Sequence, residues 1–420
     1  MKSGPETSNI RRSTITETNV TAFLSPVAYV KNVFRHIVLL LIVSALTACG
    51  GGDGDSYGGG DPAQVTYTYQ VPATLNDGWE VGHLDDHSID TDLITSMMNG
   101  IVGFQYTGID SISIARNNTL VLNQVFRTQL DEFDSWTNNT RLDMHILHST
   151  SKSFTSALVG IAIDQGFISD TDAFFYELFA YASYDNWDTR KANMTLDDAL
   201  TMRFGILWDE WSEPYGAPDN SLTVLTANND DYAKALLDLP IDADPGTNFV
   251  YNTAGSVAIG QALENSVGVP MADFAAVHLF APLQIVNVRW GETPTGLPNG
   301  GSGLFLTTRD MAKFGQLFID RGVWNGEQVI SADWITRSVQ PYTTLTWTDT
   351  SGYGYQWWID RFFVNGQQID SYSTRGYGGQ YIFCVPSLQL VVTFTGSNYG
   401  NDGAGQSFEM MQQYILPAML

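Results

Sequence analysis

The stretch Ser149-Thr150-Ser151-Lys152-Ser153-Phe154-Thr155-Ser156-Ala157-Leu158-Val159-Gly160-Ile161-Ala162-Ile163-Asp164 decides the reading of this chain. Phe154, Leu158, Ile161 and Ala162 fall on one stripe at helical spacing, which predicts a helix with Ser149 at its N-terminus. Residues three apart share a helix face, so the Lys152 ammonium reaches the Ser149 hydroxyl. Unpaired N–H groups at the start of a helix favour negative charge developing beside Ser149. A serine needs a base to become a nucleophile, and a lysine one turn on supplies one. Taken alone, a serine before a helix is most simply an N-cap, so the assignment depends on the rest of the chain.

Two distant segments supply that context. One is Pro245-Gly246-Thr247-Asn248-Phe249-Val250-Tyr251-Asn252-Thr253-Ala254-Gly255, which opens on a Pro-Gly turn. The other is Thr374-Arg375-Gly376-Tyr377-Gly378-Gly379-Gln380-Tyr381-Ile382-Phe383, where glycines run into a strand. Upstream, residues 111–116 and 119–126 alternate around Asn117-Asn118 and predict a hairpin. Helical patterns dominate from Ser149 to about Arg337, with cap signals at Thr195 and Thr307. Strands return at Tyr353–Asp360 and in a hairpin of 380–385 and 388–395 around Pro386-Ser387, before a closing helix over 406–416. Strands, a helical insert, then strands and a helix predict an α+β fold with one mostly antiparallel sheet built from both chain ends.

Composition narrows the function. The chain has 420 residues, 44% of them hydrophobic, enough for a sizeable core. Twenty lysines and arginines against 45 acids give a net charge of −25, which removes any electrostatic case for nucleic-acid binding. The two cysteines, Cys49 and Cys384, lie in such different contexts that no mutual disulfide is expected, and no C-x-x-C pair signals a metal or redox site.

The N-terminus reads as an address. His36 to Ala48 is an apolar run behind Lys31 and Arg35, shorter than the ~20 residues of a membrane span and typical of a signal-peptide core. It ends in Leu46-Thr47-Ala48-Cys49, which resembles a bacterial lipobox. The resemblance implies cleavage before Cys49, lipidation of its thiol, and export to the periplasmic side of the outer membrane or the cell surface. Residues 49–68 are rich in glycine and aspartate and read as a flexible linker. A catalytic domain over 69–420 is expected, with its helical subdomain at about 150–340.

Ser-x-x-Lys, then the tyrosine segment, then the glycine-rich strand resemble the serine β-lactamase and penicillin-binding-protein superfamily on its class C side. That group includes lactamase-fold esterases, D-alanyl-D-alanine carboxypeptidases and 6-aminohexanoate-dimer hydrolases. Pro245 to Tyr251, Gly300-Gly301-Ser302-Gly303-Leu304 with Thr308-Arg309-Asp310, and His278-Leu279-Phe280-Ala281-Pro282-Leu283 add to the likeness, which covers about residues 90–420. It implies the β-lactamase/transpeptidase-like fold and no cofactor or metal. Ser149 would be the nucleophile, and Lys152 and Tyr251 would share the base role. A nearby cation is expected to lower the Tyr251 pKa. The oxyanion hole would use backbone N–H groups of Ser149 and of the strand near Gln380, with Tyr377, Gly378 and Gly379 letting substrate approach.

Two departures shape the expected chemistry. The family's Tyr-x-Asn becomes Tyr251-Asn252-Thr253, so Asn252 is a displaced candidate for substrate binding. The family's Lys-Thr-Gly is replaced by Tyr377-Gly378-Gly379, leaving Arg375 as the candidate for a substrate carboxylate. Both favour an ester or non-lactam amide as substrate over a D-alanyl-D-alanine peptide or a β-lactam. A catalytically silent protein that binds an envelope ligand is the rival from another class. His145 and His148 are expected to pack or hydrogen-bond around the site, and His83 to His87 to form a solvated loop or helix start. Trp208, Trp211, Tyr215, Trp357 and Trp358 read as core aromatics, some of which line a substrate pocket, and Cys384 as a small buried residue.

Overall fold

A computed structural model describes residues 66–346, 349–400 and 405–420. The apolar run at 36–48, Cys49 and the linker up to residue 65 lie outside the described residues. Within the expected linker, the Tyr67 N–H donates to Asn99 Oδ1 at 2.7 Å, so the chain is already tied to the body there. Among the described residues, no helix is long and apolar enough to cross a membrane.

Asn117 and Asn118 both adopt left-handed backbone, which a two-residue turn between twisted strands requires. They close the hairpin of Ile109–Arg116 and Thr119–Val125. Beside it, Ile109–Arg116 pairs antiparallel with Leu390–Gly396, and this ladder joins the two ends of the chain. The sheet then continues through Gln380–Val385, Gln367–Gly376, Trp358–Val364, Thr350–Tyr353 and Thr343–Thr344, while Glu80–Val81 adds a parallel edge next to Thr119–Val125.

Period-2 alternation gives the sheet two buried faces. On one, Ile112, Ile114, Val392 and Phe394 pack with Met97 and Met98 of the helix Thr91–Val102 and with Ile415 of the C-terminal helical segment. On the other, Ile382, Cys384 and Val391 meet the helix Thr308–Ile319. Gly315 of that helix permits the contact, since a Cβ there would lie 2.5 Å from Val391. Cys384 is a buried free thiol, as its sequence context suggested.

The helix Ser151–Asp164 lies in the middle of the helical layer. Its apolar stripe is buried, but so is every residue from Ser151 to Ala162. Its polar residues find backbone partners: the Thr155 hydroxyl donates to the Gly300 carbonyl at 2.9 Å and the Ser153 hydroxyl to the Gln356 carbonyl at 2.6 Å. Such bonds let a helix with polar residues be enclosed on all sides.

Two strand expectations are corrected. Tyr353–Asp360 is not one strand: the chain turns between Thr350–Tyr353 and Trp358–Val364, with Gln356 left-handed and its amide donating to the Leu200 carbonyl at 2.8 Å. The longest strand, Gln367–Gly376, escaped the pattern because its residues are mostly polar.

Candidate active site

The short strand Met144–Ile146 pairs with Leu304–Thr307 and delivers the chain to the nucleophile turn. His148 takes a left-handed backbone, a 3-10 turn covers His148–Thr150, and the α-helix begins only at Ser151. Ser149 therefore sits in the turn before the helix rather than on it, half-buried and reachable. A left-handed non-glycine residue stores of the order of 1 kcal/mol or more, and here it lies next to the candidate nucleophile. The end of the Gln367–Gly376 strand presses against this turn. A Cβ on Gly376 would come within 2.2 Å of the Leu147 carbonyl, so only glycine permits the approach. Thr150 pins the same junction, its hydroxyl lying 3.1 Å from that of Thr374 and 3.2 Å from the Gln380 carbonyl.

Lys152 is fully buried, and its Nζ makes three hydrogen bonds. They go to Ser149 Oγ at 2.9 Å, Thr253 Oγ1 at 3.0 Å and the Gly301 carbonyl at 2.7 Å. Burial pushes its pKa down to about 7, against an opposing pull from Glu210. Gly301 and Gly300 are part of the geometry, since a Cβ on either would crowd Thr253 or Thr155 at 2.7 Å.

Tyr251 is buried with its ring centroid 5.0 Å from Lys152 Nζ, and its hydroxyl has Ser149 as a hydrogen-bonding neighbour. The sequence places Ser149, Lys152 and Tyr251 together, and the fold does so. The expected electrostatics of Tyr251 are corrected, however. Burial and the Glu210 carboxylate raise its pKa, and the bond to Ser149 only partly offsets them. Trp211 stacks on the Tyr251 ring at 5.0 Å and Trp358 at 5.8 Å, while Trp357 is core.

The two substrate-binding expectations do not hold. Asn252 is buried as the N-cap of the helix Thr253–Val267, where its Oδ1 accepts from the Gly255 N–H at 2.7 Å. Arg375 is tied to the buried Asp360 and to Thr350, both at 2.5 Å, and lies over the Phe408 ring. The glycines are also used differently from expectation. Gly376 serves the Leu147 contact and Gly378 has the Tyr399 ring against it, whereas a Cβ on Gly379 would meet Asn398 and Gly396 only at 3.8 Å. The Gln380 side chain is occupied by the carbonyls of Tyr377 in its own turn and of Gly396 at the end of the neighbouring strand. Tyr377 stands half-exposed at the edge, 5.7 Å from the His148 ring and 5.6 Å from Tyr215.

The histidines do separate work. His145 is buried with Nε2 3.1 Å from Asp110 and 3.4 Å from Asp131. Burial works against its charge, yet the bonds to these carboxylates win and raise its pKa. His148 is caged by Phe133, Tyr377 and Tyr399, and burial drives its pKa down to about 3. His83 to His87 form a surface turn, with His83 3.5 Å from Asp85. Among the described residues, no group of three or more His, Cys, Asp or Glu side chains is placed to hold a metal ion.

The sequence reading missed Glu210 and Thr253. The Thr253 N–H and hydroxyl donate to Glu210 at 2.7 and 2.5 Å, and Trp208 Nε1 and the Tyr215 hydroxyl donate to it at 3.1 and 2.9 Å. Glu210 lies in an irregular loop without periodicity; its only signal was its place among Trp208, Trp211 and Tyr215. Next to Thr253 opens a cavity of about 500 Å³, lined by Trp136, Tyr215, Leu222, Tyr232, Val257 and Ser302 among others. Among the described residues, Glu292 is the one formal charge on its walls.

A sheet closed by both chain ends, with a buried Ser-x-x-Lys turn facing a tyrosine from the helical layer, defines an active-site-serine protein of the lactamase/transpeptidase architecture. Residues 93–407 match the family model described as Beta-lactamase, and the chain belongs to that family. A 6-aminohexanoate-dimer hydrolase of Paenarthrobacter ureafaciens is 24% identical over 263 residues, covering 60% of this chain and 65% of that protein. The match thus spans just under two thirds of the relative's length. An octameric penicillin-binding protein homologue from Pyrococcus abyssi superposes with a TM-score of 0.57 at 20% identity, over 77% of this chain and 76% of that one. A family VIII carboxylesterase gives 0.58 at 15% identity, over 78% and 97%. At these identities the likeness establishes the fold.

Proposed function

We propose that this chain is an exported, lipid-anchored serine hydrolase that cleaves an ester or non-lactam amide through an acyl-Ser149 intermediate. The observation that carries the reading is the buried Lys152 amine, 2.9 Å from Ser149 Oγ and with its pKa held down to about 7. At neutral pH a large share of this amine is unprotonated and able to take the Ser149 proton. As Oγ attacks the carbonyl, the O–H bond breaks and a proton moves to Lys152 Nζ. The resulting oxyanion faces the N–H groups of Ser149 and Gln380. The proton then passes to the leaving group, with the protonated Tyr251 hydroxyl beside Ser149 as relay. Water repeats the sequence to release the acid. The 6-aminohexanoate-dimer hydrolase and carboxylesterase relatives support amide or ester chemistry.

The choice against a carboxylate-bearing substrate rests on charge. Among the described residues, the walls of the cavity beside Thr253 carry an acid and no cation, and Arg375 is bound to Asp360. Export and anchoring rest on the apolar run before Cys49 and the Leu46-Thr47-Ala48-Cys49 sequence. The test is hydrolysis of a short-chain nitrophenyl ester by the full chain in mild detergent, beside Ser149→Ala. Turnover lost in the variant supports the reading. Equal turnover in both, or none in either, removes it and favours a silent envelope-ligand binder.

A further inference from the structure

Three groups surround Lys152 Nζ, and two of them have fixed roles. The Gly301 carbonyl can only accept a hydrogen bond. Thr253 has one hydroxyl proton, and it lies on the 2.5 Å contact to Glu210 Oε1. Glu210 Oε2 accepts from two obligate donors, the Trp208 indole and the Thr253 backbone N–H, and Oε1 accepts from the Thr253 and Tyr215 hydroxyls. With its proton committed to Glu210, the Thr253 oxygen must accept from Lys152.

A neutral amine has two protons and one lone pair. Both protons are then taken, by Gly301 and Thr253, and the lone pair is left facing Ser149 Oγ. We propose that Glu210 is a positioning residue that acts through the Thr253 hydroxyl to set the direction of the hydrogen bonds around Lys152, so that Ser149 donates to the amine. This rests on the hydrolase reading above. The step it prepares is balanced: the Ser149 O–H bond breaks, an N–H bond forms on Lys152, and the oxygen keeps the electron pair with which it attacks.

Glu210→Gln reverses the relay. Trp208 Nε1 and the Thr253 N–H keep the amide oxygen at the Oε2 position, so the amide NH₂ faces the Thr253 hydroxyl and donates to it. Thr253 then turns its proton toward the Lys152 lone pair and competes with Ser149. The other titratable groups around Lys152 are Tyr251, with its ring 5.0 Å from Nζ, and His148, whose pKa Lys152 helps to depress. Glu210 does not act on His148, and Tyr251 loses the upward push of the carboxylate in this variant but stays raised by burial.

The experiment compares the full-length parent, Ser149→Ala, Glu210→Gln, Thr253→Ser, Thr253→Val and the Glu210→Gln/Thr253→Val double variant. The readouts are nitrophenyl-ester kcat and KM, and the pH dependence of Ser149 labelling by a fluorophosphonate. Glu210→Gln is expected to lower kcat and labelling about 10- to 100-fold, with KM changed less than about 3-fold, the scale of a misdirected general base. Its acid limb moves to lower pH, because a carboxylate that favours the ammonium is gone. Thr253→Ser stays within about 3-fold of the parent, and in the Thr253→Val background Glu210→Gln adds less than about 3-fold, as a shared path requires. A folded Glu210→Gln with parental kcat, an unmoved acid limb, or a loss undiminished in the Thr253→Val background overturns the proposal. Should Glu210→Gln fail to fold, equal kcat for Thr253→Val and Thr253→Ser overturns it, and loss confined to Thr253→Val upholds it. Parent turnover that Ser149→Ala abolishes sustains the hydrolase reading whatever the Glu210 variants do.

Discussion

Replacing Lys152 with methionine tests both the electrostatics and the chemistry of the site. Burial moves the ammonium from 10.5 down to about 7, with Glu210 pulling the other way. At 1.36 kcal/mol per pH unit, the charged form is disfavoured by about 5 kcal/mol relative to the unfolded chain. The sign follows from proton counting. Between pH 7 and 10.5 the unfolded chain binds a proton that the folded chain does not, so the lysine's contribution to stability improves as pH rises through this window. Below pH 7 both states bind it, and the full penalty persists. Methionine binds no proton, so the parent should gain about 4 kcal/mol of stability relative to Lys152→Met between pH 6.5 and 10. The polar partners left behind at Ser149, Thr253 and Gly301 cost about 1–3 kcal/mol, but that loss is nearly independent of pH and cancels in the comparison. Urea unfolding of both proteins at the two pH values measures the difference. Ester turnover should fall by about 10²- to 10⁴-fold in the variant, and the parent's kcat/KM should drop about tenfold per pH unit below 7. Parallel stability curves, or an acid limb near the carboxylate range, would refute the assignment of Lys152 as a buried neutral base.

Removing the Arg375 guanidinium in Arg375→Ala leaves the buried Asp360 without its ion pair and should destabilise the protein by about 3–5 kcal/mol, seen as a lower Tm. KM for esters with and without a substrate carboxylate should respond alike; a selective rise for the carboxylate-bearing ester would restore Arg375 as a substrate ligand. Gly376→Ala puts a Cβ 2.2 Å from the Leu147 carbonyl, two residues before the nucleophile. Overpacking of this kind costs about 1–3 kcal/mol, and kcat should fall with stability because the Ser149 turn must shift. Parental kcat at reduced stability would show that the turn is not held by this strand.

How much could be read in advance depended on whether a feature repeats. The Ile109–Val125 hairpin and the 380–395 hairpin were legible because alternation and a turn signal coincide there. Ser149 and Lys152 were legible because a separation of three residues brings them together in a 3-10 turn as well as in a helix, before the fold is known. Gln367–Gly376 was not, since a strand rich in Gln, Ser and Thr carries no apolar alternation, and its membership of the sheet comes from its two neighbours. The Tyr353–Asp360 run is rich in aromatics and reads as a strand, but Gln356 is pinned to Leu200 and to Ser256 and turns the chain. Asn252 was misread because a side chain next to a candidate catalytic residue can equally be a helix cap, and only the position of the helix Thr253–Val267 decides.

The departure from the family's Tyr-x-Asn pattern reads differently once Glu210 is in view. An asparagine carbonyl is an acceptor by nature and needs no help to receive a lysine N–H. A threonine hydroxyl at the same place can donate or accept, and a hydroxyl that donated would compete with Ser149 for the one lone pair that matters. A buried carboxylate that claims the hydroxyl proton removes that ambiguity. Thr253 and Glu210 are therefore best understood as one unit, together supplying the fixed acceptor that a single amide would otherwise provide. The same carboxylate also pulls the Lys152 pKa upward against burial, bringing the amine to about 7 instead of lower. One buried group thus sets both the direction of the proton transfer and the pH at which the acceptor is ready, although it lies in a loop with no local pattern to announce it.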